Sequence, residues 1–155
     1  MRHRRDVRPF PRARRRAAYI RRMDDETLVR AFEERVVPPG GFHHEQHVRV
    51  AWYYLRQHAL LEALAQFQRH LRAFALAQGK PDLYHETITT AYMLLINERL
   101  HANGAREENW AAFAARNSDL LSWKASILQG YYRDETLWSD RARRTFVMPD
   151  RLGDT

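Results

Sequence analysis

The chain has 155 residues, of which 45% are hydrophobic, 29% are charged and none is cysteine. This length suits one domain with a single core and excludes a multidomain enzyme or a wholly disordered chain. The lack of cysteine excludes disulfides, thiolate nucleophiles and Cys-ligated metal centres. No apolar run approaches the roughly 18 residues of a membrane-spanning helix.

The net charge of +7 is concentrated in the first 22 residues, which hold ten arginines and one aspartate. Residues 23–155, the body of the chain, hold 16 basic and 18 acidic residues, so their composition does not predict a basic groove on the folded domain. An arginine-rich segment of this kind is typical of a nucleic-acid or anionic-membrane contact, a targeting peptide, or a disordered tail. Because Met23 precedes an acidic helix start, Asp24-Asp25-Glu26, we expect residues 1–22 to be disordered or an over-extended start, and residues 23–155 to form the domain.

The body shows helical periodicity almost throughout and no alternating strand pattern of useful length. Val37-Pro38-Pro39-Gly40-Gly41 ends the first helix, and Gly79 is the expected cap of the third. After Asn117 a helix restarts, and short helical pieces capped at Asp134 and Ser139 follow. The expected fold is all-α, a single compact bundle of five or six helices with short connections. The longer predicted helices cover residues 25–36, 42–57, 60–78, 83–102 and 107–116.

Two histidines near the start of the second helix are candidates for a metal site. Each helical residue turns by about 100°, so His44 and His47 face the same side as Ala51 and Leu55, which should point to the core. Two imidazoles at i and i+3 on one face can share a metal ion.

A third candidate, His85, lies in the expected first turn of the fourth helix, on its apolar side. If the second, third and fourth helices alternate in direction, the second and fourth start at the same end of the bundle. His44, His47 and His85 would then converge. Three neutral imidazoles leave open coordination positions for one divalent ion, with zinc or iron favoured and copper or nickel also compatible.

Three neighbouring polar residues are candidates for catalysis beside this site. Glu45 and Glu86 each adjoin a predicted ligand and would serve as a general base or orient a ligand, or would simply favour a helix N-terminus by charge. Thr89 lies one turn after His85 and would hold substrate or water, or bond back to a helical carbonyl. Two other interpretations of the histidines stay open: satisfied core residues, or a metal-free acid–base histidine.

The sequence also resembles an uncharacterised family of small bacterial helical proteins. Phe42-His43-His44-Glu45-Gln46-His47, continuing to Ala51-Trp52-Tyr53-Tyr54-Leu55, is similar to its FxHxxHxxxAWxYL motif. Tyr84-His85-Glu86-Thr87-Ile88-Thr89 is similar to its YHxTxT motif. The stretch from Tyr131 to Asp150 looks like a third pattern. The resemblance covers about residues 25–150, marks the same three histidines and implies no particular activity.

A looser resemblance is to the DinB/YfiT-like metal-binding bundles, in which a lone histidine precedes a closely spaced pair. Here the pair comes first, so the likeness is one of architecture. The three-histidine site predicts a cytoplasmic metal-binding protein that acts on a small organic molecule, and a metal-dependent hydrolase, transferase or oxygenase is compatible with it. The rival hypothesis is a non-enzymatic interaction module whose tail, residues 1–22, binds nucleic acid or an anionic surface. A homodimer is compatible with either.

Overall fold

A computed structural model describes residues 23–102, 104–124 and 126–151. Within these residues every regular element is helical and none is a strand, which confirms the all-α fold. The first five α-helices have seven residues or more, in agreement with the expected five or six. The predictions for residues 1–22 lie outside the described residues. The helices are α1 (Asp25–Glu33), α2 (His44–Gln57), α3 (Leu60–Ala77), α4 (Glu86–Leu100), α5 (Trp110–Arg116), α6 (Ser118–Leu121), α7 (Asp134–Leu137) and α8 (Asp140–Arg144), with 3-10 turns at Pro81–Leu83, Ala105–Glu107 and Ile127–Gly130.

The start of α4 differs from the prediction. Pro81–Leu83 forms a separate 3-10 turn, and His85 has extended backbone angles, φ −135° and ψ 111°. His85 is therefore the N-cap residue and not part of the first turn. Its Nδ1 accepts a hydrogen bond from the Ile88 backbone N–H at 3.2 Å, as an N-cap side chain does.

Two other helix starts are also set by caps. α5 begins at Trp110, later than the predicted 107, because the Asn109 side chain accepts from the Ala112 N–H at 2.9 Å. Ser139 caps α8 as predicted, accepting from Ala142 at 3.1 Å. Asp134 is instead the first residue of α7, and the cap position belongs to Arg133.

The core is built around α2 and α4, which pack against each other. α1 and α3 pack on α2, and α8 packs on α4. Several large side chains of α1, α2 and α4 have no exposed surface, and each contributes about 1.5 to 3 kcal/mol by leaving water. They include Phe32, Trp52, Met93 and Ile96. Within the described residues, no helix combines the length and the apolar character needed to cross a membrane.

The chain after α8 returns to the beginning of α4 and is held there by Thr87, whose side chain is fully buried. The Thr87 hydroxyl donates to the Thr145 carbonyl at 2.9 Å and accepts from the Val147 N–H at 3.1 Å. Tyr132 adds a bond from its hydroxyl to the Val147 carbonyl at 2.8 Å. This segment is thereby fixed beside the N-terminal end of α4, where His85 lies.

Replacing Thr87 with valine keeps the side-chain shape and removes the hydroxyl. The Thr145 carbonyl and the Val147 N–H, which are partly exposed, then lose their partner, and the free energy of unfolding should fall by about 0.5 to 1.5 kcal/mol for each bond lost. Thr87→Ser keeps the hydroxyl and should retain the protection of the Val147 amide against hydrogen exchange. Urea unfolding and amide exchange measure both effects. Equal protection of Val147 in Thr87→Val and the wild type would contradict this account.

Candidate functional site

A cavity of about 620 Å³ lies at the end of the bundle where α2 and α4 begin. The first turns of both helices line it, so the two helices begin at the same end, as the sequence pattern predicts. The three predicted metal ligands, His44, His47 and His85, all line it. Most of the remaining wall is apolar and comes from α2, α3 and α4, including Val48, Ala51, Phe67, Leu71, Phe74, Ile88, Met93 and Ile96.

His44 is anchored by the backbone of a distant helix. Its Nε2 lies 2.8 Å from the Leu120 carbonyl oxygen, which only accepts hydrogen bonds, so Nε2 carries the proton. Burial lowers the pKa of His44, which keeps the ring neutral near pH 7. In that neutral form Nδ1 bears a lone pair, and Nδ1 has no hydrogen-bond partner among the described residues.

His47 lies among aromatic rings. Its ring centroid is 4.8 Å from that of Phe42 and 6.3 Å from those of Phe32 and Phe74. Its Nε2 atom is inaccessible to water and has no hydrogen-bond partner in the described part of the chain. Desolvation, with smaller effects from His44 and His43, lowers the pKa of His47 to about 4. His47 is therefore a neutral, unsatisfied polar group in an apolar wall.

His85 has both ring nitrogens engaged by backbone groups. Nδ1 accepts from the Ile88 N–H, and Nε2 donates to the Leu137 carbonyl at 2.8 Å. Burial, and to a smaller extent the positive charge of Arg143, lowers the pKa of His85. In this arrangement His85 fixes the helix start and the α7 segment, and neither nitrogen is free to bind another group.

The three histidines thus share one cavity without forming a ligand set. Among the residues that the structure describes, no three His, Cys, Asp or Glu side chains are grouped closely enough to hold a metal ion. A metal centre at His44, His47 and His85 stays a prediction, and it would require His85 to release at least one backbone partner.

The predicted catalytic residues have different positions. Thr89 is buried and lines the cavity. Glu45 is exposed and is not among the lining residues. Glu86 also lies outside the lining, because its carboxylate accepts from Arg72 at 2.6 Å, Gln68 at 2.8 Å and Tyr84 at 2.7 Å. This network links α4 to α3, and the Arg72 guanidinium balances the charge of Glu86.

Two tryptophans at the cavity were not found by sequence reasoning. Trp123 lies 5.2 Å from the His44 ring and Trp138 lies 5.8 Å from the His85 ring, measured between centroids. Both line the cavity, and they are 48% and 53% exposed, which places them at its mouth. Both lie in short or irregular segments without helical periodicity, so the sequence pattern does not predict which way their side chains point.

Comparisons with known proteins add no identification: no family model, curated protein or solved structure matches the chain. The resemblances to the small bacterial helical family and to the DinB/YfiT-like bundles therefore stay predictions.

The low pKa of His47 makes stability depend on pH. The unfolded side chain has a pKa near 6.5 and the folded one about 4, so the unfolded state binds more protons between these values. Stability should therefore fall as pH drops through this range, with His47 contributing up to about 2 kcal/mol between about pH 7 and pH 5.

In His47→Leu this part of the pH dependence should disappear, while His44 and His85 still contribute in the same direction. Urea unfolding at the two pH values measures it, with exposed His101→Gln as the control. Identical pH dependence in His47→Leu and the wild type would show that His47 is not held neutral by burial.

Proposed function

We propose that the chain binds a small organic molecule with an apolar body in this cavity and exchanges a proton with it through His44. The observation that carries the proposal is a pair of polar atoms in a mostly apolar wall. Among the described residues His44 Nδ1 has no hydrogen-bond partner, and neither does His47 Nε2, which neighbouring side chains cover. Mostly apolar cavities of this size with a few convergent polar groups are typical small-molecule sites.

His44 is suited to the role of general base. The Leu120 carbonyl holds the Nε2 proton and so presents the lone pair on Nδ1. When Nδ1 accepts a proton from the bound molecule, or from a water beside it, the same carbonyl stabilises the resulting imidazolium. Burial opposes this charge, so the proton should return in the later step rather than stay on the ring.

His47 is suited to recognition rather than proton transfer. With a pKa of about 4 it stays neutral near pH 7 and is a weak base. Binding would require a small movement of the side chains that cover His47 Nε2. A hydrogen bond between the bound molecule and this atom would then satisfy a group whose isolation costs about 1 to 3 kcal/mol. The surrounding phenylalanines would pack against the apolar body, and Trp123 and Trp138 would cover it.

Filling the cavity tests this proposal. Ala75 and Ala73 both lie on α3 and are half-buried, but only Ala75 lines the cavity. N-phenylnaphthylamine, a neutral fluorescent probe with an apolar body, should bind the wild type and the control Ala73→Phe equally. Ala75→Phe should weaken binding by about tenfold or more. Absence of binding to the wild type, or equal binding to both variants, would refute the cavity as a binding site.

A second candidate is the metal site expected from the sequence. It is favoured by the same two free nitrogens, because imidazole lone pairs without a protein partner can coordinate zinc, iron or copper. Coordination through His44 and His47 alone would leave His85 as the cap of α4, whereas a three-histidine site requires His85 to turn away from Leu137 or Ile88.

Elemental analysis separates these candidates. After incubation with zinc, iron(II) or copper(II), a metal site should hold about one ion per chain, and a folded His44→Ala/His47→Ala variant should hold none. His85→Ala distinguishes a two-histidine site from a three-histidine one. No retained ion in the wild type would end the metal hypothesis and leave the acid–base interpretation.

A further inference from the structure

The charges around the cavity have one sign. Two fully charged side chains line it, Lys80 and Arg143, and no Asp or Glu of the described residues does so. The body of the chain has a slight excess of acidic residues, so this arrangement does not follow from composition. The two cations lie close to each other, because Arg143 donates to the backbone carbonyl of Asp82, two residues after Lys80.

Arg143 is held in place without a carboxylate. One guanidinium N–H donates to the Asp82 carbonyl at 2.7 Å, and no Asp or Glu among the described residues lies within ion-pair distance of it. The residue is half-buried, and its charge is felt by His85. Its neighbour Arg144 instead pairs with Asp140 at 3.5 Å on the exposed surface. A half-buried guanidinium with unused donors is suited to bind an anion.

Lys80 adds a second positive charge at the turn before the Pro81–Leu83 segment. It is exposed, and in the described residues it forms no ion pair. The two acidic residues close to it in sequence do not neutralise it: Asp82 makes no ion pair with either cation, and Glu86 is paired with Arg72. The rim is therefore electropositive beside an apolar interior.

We infer that the molecule bound in this cavity is an amphipathic anion, with an apolar body among the phenylalanines and a carboxylate or similar acidic group at Arg143 and Lys80. This inference rests on the proposed function, because it names the class of ligand for the same cavity. The anionic group is fixed at the rim, and the body extends toward His47 and His44. Proton exchange with His44 then acts on the part of the molecule remote from its charge.

Three probes with the same apolar body and different heads test the inference: naphthoate, naphthylmethanol and naphthylmethylammonium. Isothermal titration calorimetry on the full chain should show naphthoate binding about tenfold or more tightly than naphthylmethanol, and naphthylmethylammonium most weakly. Lys80→Gln and Arg143→Gln should each weaken naphthoate binding and leave naphthylmethanol unchanged. The preference should shrink as salt concentration rises. Arg144→Gln is the matched control and should bind as the wild type does.

The outcomes distinguish failure of the cavity as a binding site from failure of the inference that its ligand is an anion. If none of the three probes binds, the cavity is not a small-molecule site, and both the proposed function and this inference fail. If all three bind with equal affinity, or the ammonium compound binds most tightly, the cavity binds apolar molecules and the inference about the anion is overturned. Lys80 is exposed, so Lys80→Gln keeps the test decisive even if Arg143→Gln disturbs the fold by losing its bond to Asp82.

Discussion

The arrangement of the cavity depends on two hydrogen bonds between imidazoles and distant backbone carbonyls. His44 donates to Leu120, and His85 donates to Leu137, both at 2.8 Å. Each bond joins the start of a long helix to a short helix of the C-terminal half. Buried N–H and carbonyl groups that lose a partner cost free energy, so these bonds hold the later segments, with Trp123 and Trp138, over the first turns of α2 and α4.

These two bonds, together with the burial of His47, give the three histidines different chemical properties. His85 uses both nitrogens for the backbone and is a cap. His44 uses one nitrogen and keeps the lone pair of the other. His47 lies among phenylalanines with Nε2 unpartnered, and burial keeps it neutral. Identical side chains at one cavity thus differ in their unpartnered nitrogens and in their tendency to accept a proton, because their hydrogen-bond partners and their access to water differ.

Much of the fold and part of the site follow from the sequence pattern. The spacing of apolar residues predicts the long helices and the inward direction of His44 and His47, since both depend on local periodicity. The position of His85 at the same cavity also follows, from alternation of helix direction. The partners Leu120 and Leu137 do not, because they are 76 and 52 residues away and belong to segments too short for a periodic signal. The hydrogen bonds that hold the Glu86 carboxylate against Arg72, outside the cavity, could not be predicted from the spacing of apolar residues either. They depend on which side of α3 packs against α4.

We propose that His44 is neutral, with its proton fixed on Nε2 by Leu120 and its Nδ1 lone pair available to a bound molecule. The imidazole nitrogen chemical shifts of His44 in NMR spectra of the isotope-labelled protein test it most directly. Near neutral pH the account requires a pyrrole-type shift for Nε2 and a pyridine-type shift for Nδ1, with Nδ1 moving most when a ligand is added. A proton on Nδ1, or a charged His44 ring at neutral pH, would contradict the account.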